Sequence, residues 1–121
     1  MRRPIYAMLA LALALPAMSP ADAQSVRSYR VEAHRDFWVN LNLCSARVYI
    51  EAQGDGDTDV DFTIYDASGR VAYQDLDYDD YTSVTLFPRA RGGRGCIPHR
   101  LKLSNLGDVW NMVRVTVQDL R

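Results

Sequence analysis

Past its N-terminal segment, this chain is predicted to be all-β: a small antiparallel sandwich or barrel of about seven to eight strands. Three observations predict it. Apolar residues recur at every second position in one short run after another, and each run is closed by Gly, Pro, Asn or Asp. No stretch of the same region has sustained helical periodicity. The closely spaced runs are joined by turn residues, with no linker, low-complexity tract or internal repeat between them.

The N-terminal segment comes first. Met1-Arg2-Arg3-Pro4 is basic, residues 5–15 are apolar, Pro16 ends the run and Ala21-Asp22-Ala23 follows. That order is a signal peptide with a small-x-small cleavage site. The apolar part is too short for a spanning helix, which needs about 20 residues. The expectation is therefore a signal peptide over residues 1–23, a single domain over 24–121, and a periplasmic or secreted protein. No later segment is apolar enough to cross a membrane. A chain of this size can bury a modest core, about 65% of its unfolded surface.

The strands follow in order. A first one is expected near residues 29–33. Residues 37–43 alternate, with Phe37, Val39, Leu41 and Leu43 on one face, and residues 47–51 bring Val48 and Ile50 together. In residues 60–65, Val60, Phe62 and Ile64 point inward, while Asp61, Thr63 and Tyr65 take the other face. Asp66-Ala67-Ser68-Gly69 reads as a turn, because aspartate starts turns and glycine supplies a positive φ. Residues 70–74 return as its hairpin partner. Residues 83–87 form a strand stopped by Pro88, and residues 100–105 and 112–117 complete the set.

Charge is close to balanced overall but uneven along the chain. Residues 51–80 hold ten acids against Arg70 alone, whereas the basic residues of 81–121 outnumber Asp108 and Asp119. Internal pairing of the acidic middle with the basic tail is the expected outcome. After residue 23 every basic residue except Lys102 is arginine, which suits bidentate carboxylate pairing. The balance argues against a nucleic-acid partner. Cys44 and Cys96 are the only cysteines. In an oxidising compartment they are expected to form a disulfide, worth about 4 kcal/mol for a loop of roughly 50 residues in the chain-entropy account.

One stretch stands out: Gly54-Asp55-Gly56-Asp57-Thr58-Asp59-Val60-Asp61-Phe62, followed by Ile64-Tyr65-Asp66 and Gly69. With Asp75 and Asp77, and then Asn105-Leu106-Gly107 and Asn111, it resembles the bacterial pre-peptidase C-terminal domain over roughly residues 35–118. The resemblance implies a jelly-roll-like β-sandwich associated with extracellular enzymes, some of whose relatives bind calcium or collagen. No peptidase sequence accompanies it in these residues. The segment Gly95-Cys96-Ile97-Pro98-His99, read as a loop, replaces the glycine-aromatic strand of the family.

Candidate chemistry follows from spacing. Asp55, Asp57 and Asp59 are spaced like the first ligands of a calcium loop, and Asp66 falls at the twelfth place. An EF-hand needs glycine at the sixth place, which is Val60 here, so that motif is rejected. An oxygen site formed by Asp55, Asp57 and Asp59 with Asp75 and Asp77 stays open. Its competitor, and the commoner arrangement, is a turn whose aspartates accept backbone N–H bonds. The glycine-rich loop bearing Arg89, Arg91 and Arg94 suits an anionic ligand, or faces the acidic middle. Tyr78 and Tyr81, with Tyr73, flank the acidic loop and suit carbohydrate or protein contact, or core packing. His34 with Asp36 and Ser45, Cys96 with His99, and paired acids within 75–80 are the catalytic alternatives, none supported by a recognisable motif.

These readings converge on an exported, non-catalytic binding module. It needs no cofactor, though calcium is a candidate, and its ligand is a protein or a carbohydrate. The alternatives are a stabilising partner of an envelope or secreted protein and, third, a small hydrolase.

Overall fold

A computed structural model of the chain describes residues 24–88 and 95–120. It contains eight strands: β1 (Gln24–Val31), β2 (Asp36–Leu43), β3 (Arg47–Gln53), β4 (Val60–Tyr65), β5 (Val71–Asp75), β6 (Tyr81–Leu86), β7 (Ile97–Asn105) and β8 (Asn111–Leu120). They form two four-stranded sheets, sheet A in the order β1-β8-β3-β6 and sheet B in the order β2-β7-β4-β5. Every pairing is antiparallel.

The order has a simple logic. β1 pairs with β8, β2 with β7, β3 with β6 and β4 with β5, as in one long hairpin. Rolling that hairpin brings β8 against β3 and β7 against β4. The result is a jelly roll, the sandwich architecture that was expected. Among the described residues there is no helix, so none is long and apolar enough to cross a membrane.

The alternation seen in the sequence builds the core. Leu41 and Leu43 of β2, Val48 and Ile50 of β3, Val60, Phe62 and Ile64 of β4, Leu101 and Leu103 of β7, and Val113 and Val115 of β8 are all buried between the sheets. Phe37 shares the inner face of β2 but sits at its rim, half-exposed, with its ring 5.3 Å from that of Tyr29. Thr63 faces outward yet is only 2% exposed, so other side chains must lie over it.

Three local features differ from expectation. β1 begins at Gln24, ahead of the expected strand, because its whole length pairs with β8. The segment read as a loop around Cys96 enters β7 at Ile97, where Ile97 pairs with Leu43 and His99 with Leu41. Residue 70 stays in the turn: Gly69 takes φ +86°, and Asp66 N–H donates to the Arg70 carbonyl at 2.8 Å.

The expected Cys44–Cys96 disulfide is present, with the Cα atoms 3.9 Å apart across 52 residues of sequence. It lies just past the Leu43–Ile97 pair and so clamps β2 to β7 at one end.

Strand direction assigns each connection to an end of the sandwich. Residues 32–35, 54–59, 76–80 and 106–110 gather at one end, here the acidic end. Residues 44–46 and 66–70 gather at the other, the disulfide end, together with Phe87, Pro88, Gly95 and Cys96. Arg89, Arg91 and Arg94 lie outside the described residues. Their flanking residues, Pro88 and Gly95, belong to the disulfide end, opposite residues 54–59 and 76–80. The expected approach of the basic loop to the acidic middle therefore also lies outside the described residues. Neither the Arg30–Glu32 ion pair (2.8 Å) nor the His34–Asp108 pair (2.6 Å) engages an acid of residues 51–80.

Candidate functional site

At the acidic end, most of the polar chemistry is already engaged in holding loops. Asp55 accepts the Asp57 N–H on one carboxylate oxygen (3.1 Å) and the Met112 N–H on the other (2.9 Å). Asn111 is fully buried; its Oδ1 accepts the Asp55 N–H, and its Nδ2 donates to Thr58 Oγ1 (3.0 Å) and Asp80 Oδ2 (3.1 Å). Asp80 Oδ2 also accepts the Gly56 N–H at 2.7 Å. A Cβ on Gly54 would collide with Asp80 and Asn111, and one on Gly107 would collide with Thr58. Buried Asn105 donates to the carbonyls of Val31 and Val109 and accepts the Gly107 N–H. The residues that carry the family resemblance therefore staple three loops together.

The expected metal residues divide accordingly. Asp55 is turned to β8, Asp75 accepts the Asp77 N–H at 3.0 Å, and Asp57 and Asp77 are exposed. Asp59 behaves differently. Burial is the main cause that raises its carboxyl above the ordinary range, with Asp79, Asp75 and Asp80 adding repulsion. Asp61 is raised in the same way, first by burial and then by Asp59 and Asp75, with Lys102 opposing. Among the described residues, Asp59 Oδ1 and Asp61 Oδ1 are buried without a hydrogen-bond partner. Among the described residues no group of three or more His, Cys, Asp or Glu side chains is arranged to hold a metal ion. Asp66, at the twelfth place of the rejected calcium loop, sits at the far end of β4. There its carboxylate caps the turn through Ser68 and Arg70, which holds it below the ordinary range.

The other sequence candidates are spread over the molecule. Tyr78 is almost wholly exposed at a loop tip, whereas Tyr81 lies on the outer face of sheet A and donates to Glu51 Oε2 at 2.8 Å. That bond is the main cause that raises the Tyr81 hydroxyl above its ordinary value. Tyr73 packs against the core with its hydroxyl 2.6 Å from Thr82 Oγ1. His34 faces Asp108 at the acidic end, while Ser45 is at the disulfide end, so the fold does not assemble His34 with Ser45. Cys96 is oxidised, and among the described residues there is no free thiol beside His99.

One surface collects side chains that sequence order keeps apart. On the outer face of sheet B, the register aligns Trp38, Lys102, Thr63 and Gln74 in one row and Asn40, Arg100 and Tyr65 in the next. Trp38 on β2 and Tyr65 on β4 lean over β7, with ring centroids 5.6 Å apart. The Arg100 guanidinium lies 4.1 Å from the Trp38 ring centroid; Lys102 Nζ lies 5.7 Å from Trp38 and 5.8 Å from Tyr65. Thr63, buried in the same row and paired with Lys102, accepts from Gln74 on its hydroxyl at 3.2 Å. Trp38 keeps 42% of its surface in solvent. Among the described residues neither Arg100 nor Lys102 forms an ion pair with a carboxylate.

Among the described residues, clefts open at the disulfide end (about 500 Å³, lined by residues such as Leu86, Phe87 and His99) and at the β1–β2 rim (about 290 Å³, between Tyr29 and Val39 and bordered by Asn40), with a smaller one beside Gln24 and Asn42. The outward alternation of residues 38–42 and 61–65 was legible, but the meeting of β2 and β4 across β7 was not, since it depends on pairing between distant strands.

Comparison of the chain with protein-family models and with curated proteins found no match.

Proposed function

We propose that the chain is an exported, non-catalytic binding module whose ligand surface is the outer face of sheet B. The observation that supports it most is exposed Trp38 paired with half-buried Tyr65 and braced by Arg100 and Lys102. Aromatic faces on a rigid sheet suit ring stacking, and a cation over the ring fixes its position before a ligand arrives. The disulfide joins β2 and β7, the strands that carry Trp38 and both cations. Export rests on the signal-like N-terminal segment, and the kinship with pre-peptidase C-terminal domains remains part of this proposal. A panel of soluble polysaccharides and extracellular proteins, screened by affinity electrophoresis, tests the reading. At least one should retard the protein, and Trp38→Ala should remove the retardation. Retardation that Trp38→Ala leaves untouched contradicts it.

A second reading adds weak calcium binding at the acidic end, favoured by the unpartnered buried oxygens of Asp59 and Asp61. Carboxylate oxygens suit a hard cation, and extracellular modules hold calcium at about 0.1–1 mM. Asp59 and Asp61 are the residues that would hold it. The ion would relieve their mutual repulsion and so stabilise the fold by linkage. A melting temperature that rises with calcium but not with magnesium supports this; an equal rise with both ions indicates screening only.

A further inference from the structure

We propose that the sheet B platform binds an acidic polysaccharide, one whose pyranose rings carry carboxylates. The inference rests on the binding-module reading and names its ligand class. Four observations carry it.

The first is the juxtaposition of rings and cations. A pyranose presents an apolar C–H face that lies on an aromatic ring, whose negative quadrupole attracts those hydrogens. Trp38 and Tyr65 set two such rings together, 5.6 Å between centroids at a 35° tilt, with Arg100 over one face of Trp38. The second is charge complementarity. Arg100 and Lys102 lie on β7 beneath and between the rings, and neither has a carboxylate ion-pair partner among the described residues. An arginine fork matches a carboxylate in a bidentate manner. The third is direction. Asp36, Ser104 and Asp61 form the next row toward the acidic end, whereas Asn42 and Pro98 form the row toward the disulfide end. An acidic ligand therefore sits over Arg100 and extends toward Asn42, away from Asp61. The fourth is shape. A peptide is usually anchored by a side chain in a pocket, and of Trp38, Asn40, Tyr65, Gln74, Arg100 and Lys102 only Asn40 borders a described cleft, the one at the β1–β2 rim. The open platform carries Asn40 and Gln74, amides suited to hydroxyl groups.

Affinity electrophoresis of the protein expressed from its full sequence decides the matter, with polygalacturonate, neutral glucomannan and polyglutamate as the three probes. Polygalacturonate should retard the protein strongly, and added salt should weaken the effect. Arg100→Gln with Lys102→Gln should reduce the affinity at least about tenfold, the equivalent of roughly 1.4 kcal/mol. Tyr78→Ala should leave it unchanged. Circular dichroism and the melting temperature establish that each variant folds, and Arg100→Gln alone serves if the double variant does not. Equal retardation by glucomannan and polygalacturonate overturns the acidic assignment while leaving the binding-module reading intact. Retardation by polyglutamate alone also overturns it, and assigns the face to acidic peptides. No retardation by any probe removes the carbohydrate proposal, and if the wider panel fails too, the binding-module reading falls with it.

Discussion

The acidic end and the sheet B platform hold charged side chains in opposite states of engagement. At the acidic end, Asp55, Asp80, Asn105 and Asn111 meet backbone amides, carbonyls or one another, and removing Asn105 or Asn111 leaves buried or part-buried groups unsatisfied. On the platform, Arg100 and Lys102 rest on aromatic rings, and among the described residues neither forms an ion pair with a carboxylate. The stretch richest in apparently functional residues is thus mostly framework. The stretch with uncommitted chemistry draws one residue or two from each of three strands. A dense run of carboxylates needs partners in order to fold, and those partners consume the chemistry that the sequence advertises.

Substitutions should separate the two regions. The largest stability effect is expected from Cys44→Ser with Cys96→Ser, which removes the clamp on β2 and β7; denaturant unfolding should show a loss of about 4 kcal/mol. Asn111→Ala comes next. It strips a partner from the Asp55 amide, Thr58 and Asp80, and leaving buried polar groups unmade should cost about 3 kcal/mol. Under conditions where that variant stays folded, binding to the platform should be unaffected. Trp38→Ala should do the reverse, abolishing binding while costing about 1 kcal/mol of stability, the scale of a lost exposed cation–π contact. A Trp38→Ala variant that unfolds would make the platform a structural brace.

The smallest effects concern pH, and here two aspartate groups should respond with opposite sign. Asp59 and Asp61 are raised in the folded state, so the fold takes up protons and gains stability as pH falls toward the ordinary carboxylate range. Replacing both by Asn should raise the melting temperature at pH 7, and the gain should vanish below about pH 3, where carboxyl groups are protonated in either state. Calcium should blunt that gain if it binds there. Asp66 is lowered, so it stabilises the fold above the ordinary range and loses that contribution as pH falls through its folded value. Asp66→Asn should therefore lower the melting temperature slightly at pH 7, with the difference closing in acid. Equal behaviour of the two groups across the pH series would break the contrast between them.

Much of this fold was legible because period-two alternation marks a face directly. Val48, Ile50, Val60, Phe62 and Ile64 could be placed inward from their spacing alone, and each is buried. The Asp66–Gly69 turn and the Cys44–Cys96 bond were legible for similar reasons, turn chemistry in one case and cysteine count in the other. Which strands adjoin was not legible. A jelly roll pairs β2 with β7 and β7 with β4 across long sequence separations, and that pairing alone brings Trp38 to Tyr65. The same rolling places residues 54–59 and the residues flanking the basic loop, Pro88 and Gly95, at opposite ends, which sequence order does not show. At the acidic end, spacing identified Asp55 and Asp59 as a pair of like kind. The fold turns one to the Met112 amide and leaves the other with an unpartnered oxygen.

The two tryptophans offer the most direct measurement of the central claim. Trp38 lies on the platform, and Trp110 lies at the acidic end with Arg30 4.5 Å from its ring centroid. In a ¹⁵N-correlated NMR titration with oligogalacturonate, the Trp38 indole signal and the backbone amides of Asn40, Arg100 and Tyr65 should move together and saturate. The Trp110 indole and the amides of Asp55, Asp57 and Asp80 should stay in place. Saturable shifts centred on Trp110 and the acidic loops, with Trp38 unmoved, would contradict the account.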